Sequence, residues 1–329
     1  MAAVRKPRRR RGKNLIAGVD LGGTKIQTVV LDGEDVVGQS RVATPTGAPE
    51  AVINAIAEAV RAAMQRAGAD RVASLGVGSP GEIDAEQGTV SQARNVQAFA
   101  SATVKLGPAL SKALGGLRVT LENDVRAGIL GEHRLGAGRP YSNLLGVWLG
   151  TGVGGGVIIA NQLLEGRGAA GEIGHAVVQD GGWLCSCGRR GCLEAYAGRG
   201  CMEARARRRV KRGKKTVLFE IMERVPSDRL TSGVFARALK RRDPMAEKLI
   251  DRAQWALSLA LASAQNLLNL EAIILGGGLG DRLGPDFAKS VSKAMQPHLF
   301  VPEQAPPVLN TKLGDLAGAV GAALRGAGP

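Results

Sequence analysis

The chain has 329 residues, 44% of them hydrophobic and only 3% aromatic, with a formal charge of +15. That hydrophobic content builds a core and excludes a disordered chain, and the length suggests about two domains. The charge does not by itself indicate a nucleic-acid protein, because it is local: residues 1–13 hold seven bases and no acid, residues 205–215 hold eight and no acid, and without these strips it falls to zero.

No apolar run approaches the roughly 18 residues of a membrane span. No apolar stretch follows the basic start to make a secretory signal. A cytoplasmic protein without a membrane partner is expected.

In chain order, residues 1–13 read as a disordered basic arm. Asn14–Asp20 is an apolar strand ending in a carboxylate, Leu21–Lys25 turns the chain, and Ile26–Leu31 returns as a second strand. Asp32-Gly33 signals a hairpin into a third strand, Asp35–Ala43. Residues 49–67 carry helical spacing and stop at Gly68. Val72–Val77 and Leu117–Leu121 are buried strands. Leu144–Leu149 and Gly156–Ala160 are strands around a glycine turn. Ala195–Arg212 reads as a helix with a cationic face, followed by helices at Thr231–Lys240 and Pro244–Leu270. Ala272–Leu275 runs into Gly276-Gly277-Gly278, and Leu316–Arg325 closes the chain as a small-residue helix. Strand hairpins alternating with helices predict an α/β protein of two related halves.

Gly18–Val30 and Leu144–Ile159 share one plan: strand, glycine-rich turn, returning strand. Without a Cβ, backbone N–H groups can close on phosphate oxygens, and Asp20 and Lys25 suit a cation-bound phosphate. A tight hairpin without ligand is the alternative. Gly150, Gly152 and Gly155 match G-x-G-x-x-G, but a strand rather than a helix follows, which rejects a dinucleotide fold. Gly276–Gly278 either starts a helix or lets a flat nucleoside approach.

His175, Cys185, Cys187 and Cys192 are spaced by ten, two and five. Thiolates and one imidazole are what Zn²⁺ prefers, and four such ligands close a structural site. Buried cysteines with a core histidine, or an oxidised pair, are the alternative. The local density and the bends at Gly181, Gly182, Gly188 and Gly191 favour zinc. Cys201 lies outside this spacing.

Asp124 follows a buried strand as Glu122-Asn123-Asp124. It reads as the N-cap of a helix over Val125–Glu132 or as a base near a hydroxyl in phosphoryl transfer, and the two roles can coexist. Glu172, His175 and Glu194, tied to the cysteine loop, can ring a polyol with acceptors.

Taken in order, Asp20-Leu-Gly-Gly-Thr-Lys25, Ser79-Pro-Gly81, Asn95, Glu122-Asn-Asp124, Gly150–Gly156, Gly171-Glu-Ile-Gly-His175, the Cys185–Glu194 segment and Leu275–Gly278 resemble the ROK sugar kinases, glucokinase-like members in particular. The resemblance covers about Asn14 to Ala327. It implies a two-domain actin-like/hexokinase (ribonuclease H-like) fold with the active site in the interdomain cleft. The domains would be 14–138, on which a final helix 315–327 packs back, and 139–314, which carries the zinc loop 175–192.

The implied reaction is ATP-dependent phosphorylation of a hexose 6-hydroxyl, most simply glucose. Asp124 would be the catalytic base. Gly81, Asn95, Asn123, Asp124, Glu172, His175 and Glu194 would bind sugar. Asp20 would lie near Mg²⁺. Gly22, Gly23, Thr24 and Lys25, and Gly150, Thr151, Gly152, Gly154 and Gly155, would hold ATP phosphates, and Gly276, Gly277 and Gly278 the adenosine. His175 would serve both zinc and sugar. A homodimer or homotetramer is implied, without specific nucleic-acid binding. Fructose, mannose, N-acetylglucosamine or N-acetylmannosamine as substrate, polyphosphate as donor, and a non-catalytic regulator are the alternatives. The chain departs from the family in carrying Val96-Gln-Ala98 before Phe99 where a Trp is usual, and in the cationic strength of 205–215.

Overall fold

The computed structural model describes residues 15–225 and 227–328, so the basic arm expected over 1–13 lies outside the described residues. The chain forms two compact units, residues 15–139 with 315–328, and residues 140–314.

The first unit runs β1 (Leu15–Leu21), β2 (Lys25–Asp32), β3 (Asp35–Ala43), α1 (Pro49–Arg66), β4 (Ser74–Ser79), a small hairpin of β5 (Glu82–Asp84) and β6 (Thr89–Ser91), α2 (Leu106–Ala113), β7 (Val119–Asn123) and α3 (Asp124–Leu135). The sheet order is β3-β2-β1-β4-β7. β1 to β3 form an antiparallel meander, while β1, β4 and β7 run parallel. Gly33, at φ +62°, makes the two-residue turn between β2 and β3, a conformation that carries no Cβ penalty in glycine. Val52, Ile56, Val60 and Ala63 of α1 share one helical face and are buried.

The second unit runs β8 (Leu144–Leu149), β9 (Val153–Ile159), β10 (Gln162–Leu163), α4 (Leu193–Ala197), α5 (Arg199–Val210), α6 (Leu218–Glu223), α7 (Ser232–Lys240), α8 (Pro244–Leu268), β11 (Ala272–Gly276), α9 (Gly277–Met295) and β12 (Val308–Asn310). Its sheet order, β10-β9-β8-β11-β12, repeats the first with the same senses: a meander, then two parallel strands. The two related halves expected from the sequence are therefore a duplicated sheet topology.

The last helix, α10 (Ala317–Ala327), belongs to the first unit and packs on β1, β4 and α3. Its Ala- and Gly-rich sequence has a steric cause. A Cβ on Gly18 or Gly76 would collide with the carbonyl of Ala319 or Ala322, and one on Gly321 would collide with the carbonyl of Ala127. Such backbone-to-backbone packing cannot relax by rotating a side chain. Gly76→Ala is expected to cost on the order of 3 kcal/mol, read as a lower urea midpoint at unchanged slope.

Four expectations are corrected in detail. The single helix over Ala195–Arg212 is two, because Gly198 is extended and the N–H groups of Arg199 and Gly200 donate to the carbonyls of Gly150 and Thr151 at 3.2 and 2.9 Å. The helix expected to Leu270 ends at Leu268, where Asn269 takes the left-handed conformation and Leu270 N–H donates to the Gln265 side chain at 3.0 Å. α9 was hidden by its Gly- and Pro-rich start, and Gly284 kinks it at φ +69° before Pro285. Strands expected at Val72–Val77 and Leu117–Leu121 each run to later polar ends, at Ser79 and Asn123.

Candidate active site and metal centre

In the first unit, strand register brings the acidic groups together. Asp20 of β1 lies opposite Gly78 of β4, and Gly78 lies opposite Glu122 of β7. All three sit at the C-terminal ends of parallel strands, the edge at which open α/β sheets bind ligands.

The two readings of Asp124 are separated here. Asn123, not Asp124, is the N-cap of α3: its side-chain oxygen accepts from the N–H groups of Val125 and Arg126 at 3.0 and 3.2 Å. Asp124 occupies the first helical position, partly exposed. Glu122 is buried, and its carboxylate meets Arg126 at 3.3 Å and Arg325 of α10 at 3.2 Å. This locks the strand end that carries Asn123 and Asp124.

Burial, then the negative charge of Asp124, pushes the Asp20 carboxyl up to about 7; Lys25 opposes this and Asp315 adds to it. Lys25 is itself engaged by Asp315 at 2.8 Å, with Arg41 on the other oxygen at 3.3 Å. Asp315 has no motif around it and sequence reasoning missed it; only the return of the chain to this unit brings it in. A carboxyl raised by burial and like charge is a hard oxygen cluster short of positive charge, which fits a divalent cation. A pH dependence follows. The folded chain holds the Asp20 proton that an unfolded chain releases near the ordinary value of 3.8, so the stabilisation is full below about 4 and lost as pH rises to about 7. Asp20→Asn is expected to match the parent in melting temperature near pH 4 and exceed it near pH 8 in metal-free buffer. Equal melting temperatures at both pH values would contradict the raised carboxyl.

The Gly22–Lys25 turn closes with Gly22 N–H on the Lys25 carbonyl at 2.9 Å. A Cβ on Gly23 would strike the carbonyl of Asn95, so these two sequence-selected positions are neighbours. Gly81 takes φ +98° beside Ser91 and Ala93. Phe99 is fully buried in this unit's core.

In the second unit the turn after β8 is built alike, with Gly150 N–H donating to the Gly152 carbonyl at 2.9 Å. The expected phosphate loop is narrower than its glycines suggest. Gly154 and Gly155 belong to β9, opposite Trp148 and Val147. A Cβ on Gly155 would press on Gly171 and Ile173, so this glycine admits the segment that carries Glu172 and His175. Gly276 ends β11 and caps α9, and Gly277 and Gly278 form the helix's first turn, so these three are not a free loop. A Cβ on Gly277, at φ +77°, would lie 2.8 Å from Leu149 N.

Glu194 is buried beneath the Gly150–Gly152 turn. One oxygen accepts from Val153 N–H at 2.9 Å, and the other meets the Ser186 hydroxyl and the Cys185 thiol, the latter at 3.4 Å. Glu172 is exposed.

The donor atoms of His175, Cys185, Cys187 and Cys192 all lie within 4.8 Å of one another. Cys187 Sγ and Cys192 Sγ are 3.9 Å apart, close to the ~3.8 Å edge of a tetrahedron with Zn–S bonds of about 2.3 Å. All four cysteines of the chain are free thiols, Cys201 apart from the cluster. Cys185 and Cys192 are buried, which raises both thiols. Burial also opposes ionisation of Cys187, but hydrogen bonds from Arg189 and from the two neighbouring thiols hold it down to about 6. His175 turns Nδ1 toward Cys185, at 3.9 Å. Nδ1 on a metal leaves Nε2 for another partner. Beside the cysteine loop, Tyr196 stacks on the Trp183 ring at 4.6 Å, and its hydroxyl accepts from the Trp183 backbone N–H at 3.0 Å.

The profile of the ROK family matches residues 16–325. The chain is 36% identical over 318 residues to a glucokinase of Streptomyces coelicolor, covering 94% of this chain and 96% of that one. Among solved structures it is similar to a ROK family glucokinase of Streptomyces griseus in complex with glucose and AMPPNP, at 34% identity and TM-score 0.78, covering 95% of this chain and 99% of that one. A ROK hexokinase of Thermus thermophilus superposes equally, with TM-score 0.78 at 33% identity over 95% of this chain and 97% of that one. A match from β1 to α10, relatives above 30% identity along nearly all their length, and the duplicated sheet of the actin-like/hexokinase fold together make this chain a member of the ROK family.

Proposed function

We propose that the protein is an ATP-dependent hexose kinase that transfers the γ-phosphoryl group to the 6-hydroxyl of glucose. The observation that carries this reading is Asp124: a carboxylate at the C-terminal edge of the sheet, held in place by a separate cap, Asn123, and a locked strand end, Glu122.

In this reading Asp124 accepts the proton of the attacking hydroxyl, and positioning and charge neutralisation do the rest. Asn95, Asn123, the backbone at Gly81, Glu172, His175 through Nε2, and Glu194 orient sugar hydroxyls. Glu194 has a double duty, since its carboxylate also supports the Gly150–Gly152 turn. The N–H groups of Gly22–Lys25 and of Gly150–Gly152 take phosphate oxygens, and the amino end of α9 at Gly276–Gly278 lies beside the nucleotide. Asp20, with Asp315 nearby, would hold Mg²⁺, which neutralises phosphate charge when bound. His175, Cys185, Cys187 and Cys192 would hold a structural Zn²⁺ that fixes the imidazole plane. Free thiols suit the reducing cytoplasm, and among the described residues no helix is long and apolar enough to cross a membrane. Assembly as a homodimer or homotetramer is part of the same reading.

A panel of glucose, fructose, mannose, N-acetylglucosamine and N-acetylmannosamine, with ATP and Mg²⁺ and coupled detection of ADP, tests it. Glucose is expected to give the highest kcat/KM, and ATP to exceed polyphosphate as donor. Turnover of none of these sugars, or preference for an N-acetylated one, overturns the glucokinase reading.

A further inference from the structure

The cationic strip at 205–215 does not spread over an open helix face. It gathers, within the second unit, around a cavity of about 540 Å³. Arg205, Arg208, Arg209 and Arg212 line it from α5 and the turn that follows. Lys214, Lys215 and, from the first turns of α8, Lys248 complete the ring. No acidic residue lines it.

Two observations separate this from ordinary solvated charge. First, the neighbouring carboxylates are spent elsewhere. Glu203 is paired with Arg207 at 2.7 Å and Arg229 at 3.0 Å. Asp243 caps α8 through Met245 and Ala246 and holds Thr216 and Val217. Among the described residues none of the seven cavity cations is ion-paired. Second, Arg205 is laid over the Trp183 ring at 4.0 Å, and its Nε is buried without a hydrogen-bond partner. Burial lowers the Arg205 pKa, and repulsion from Arg209 and Arg208 lowers it further.

We propose that this cavity, between the end of α5 and the start of α8, binds a compact anion bearing several phosphoryl groups. Seven uncompensated cations ask for more charge than one phosphate brings, and arginine forks match phosphoryl oxygens bidentately. The volume falls in the range of small-molecule sites, about 300–1,000 Å³. The lining carries no aromatic side chain on which bases could stack, which disfavours single-stranded nucleic acid. The cavity shares no residue with the Gly150–Gly152 turn or with Gly276–Gly278, so it is not the donor site and the inference stands apart from the kinase reading.

The test is titration of the full chain, free of Mg²⁺, with inorganic tripolyphosphate, by calorimetry and by tryptophan emission, since Trp183 carries Arg205. One tripolyphosphate per chain is expected, at least tenfold tighter than orthophosphate. The Arg208→Ala/Arg212→Ala/Lys215→Ala variant is expected to bind at least tenfold more weakly, with a shallower salt dependence, at unchanged melting temperature and glucose turnover. Lys248→Glu, on a different helix, should weaken binding likewise and serves if the triple variant folds poorly. ATP titrated in the same way distinguishes sources: sensitivity of its binding to Lys248→Glu assigns the site to nucleotide triphosphates, insensitivity to free oligophosphates. Tripolyphosphate binding that both variants leave unchanged overturns the proposal, as does a single-stranded DNA oligomer binding tightly without displacement by tripolyphosphate.

Discussion

Asp124→Ala is expected to lower kcat by roughly a hundred- to ten-thousand-fold, the usual contribution of a positioned general base, while the protein stays folded. The separation of the two effects is specific to this structure. Were Asp124 the helix cap, its loss would cost about 1 kcal/mol of stability along with activity. Here the cap is Asn123, whose side chain takes the N–H groups of Val125 and Arg126. Glu122 anchors the preceding strand through Arg126 and Arg325. Removing the Asp124 carboxyl loses its own contact with Val125 N–H at 3.0 Å but leaves both devices in place, and it relieves Asp20 of a like charge. The expected signature is a collapse of kcat at near-parental KM for ATP, with little change in melting temperature. Asn123→Ala provides the contrast, losing about 1 kcal/mol of stability. Retained glucose phosphorylation in Asp124→Ala would remove the base from the mechanism.

Loss of the Cys192 side chain is the second large effect. Cys192 is fully buried, pairs with Val177 as an isolated bridge, and immediately precedes α4, which begins at Leu193 and carries Glu194. A metal held there ties His175, the Cys185–Cys187 turn and the start of α4 into one unit. Structural zinc sites in small domains contribute roughly 10–16 kcal/mol of apparent binding energy, so an uncompensated loss leaves the loop without its organising centre. Cys192→Ala is expected to fall from one bound zinc per chain to none, and to lose at least a hundredfold in activity as His175 and Glu194 lose their fixed positions. Prolonged chelation of the parent should reproduce both losses. Metal analysis beside the coupled assay checks this, and a metal-free protein with full activity and melting temperature would make the cluster dispensable.

Both effects concern residues that short motifs marked in advance. The clustering of His175, Cys185, Cys187 and Cys192 was legible because it rests on donors at short loop spacing, which is local. The paired turns at Gly22–Lys25 and Gly150–Gly152 were legible for the same reason: close backbone approach requires residues without side chains in consecutive places. Asp315 was not legible. Its approach to Lys25 spans 290 residues of chain and leaves no pattern around it. Gly154 and Gly155 were over-read as loop because a glycine run looks the same whether it turns the chain or lets another segment pack on a strand.

The charge divides in the same way. The composition gave its amount, and the spacing of the bases showed that it was concentrated in two strips. Whether the second strip met water or a cavity depended on where Lys248, 33 residues beyond Lys215, returned beside α5. By itself the sequence determined the donor sets, the glycine turns, the α/β alternation and the family, because these rest on chemistry within a few residues. Tertiary structure alone decided that Asp20 lies beside Asp124 and Asp315 and that Lys248 joins the cations of the strip around one cavity. Each of those depends on strand register or helix return, which bring together side chains that no local spacing connects.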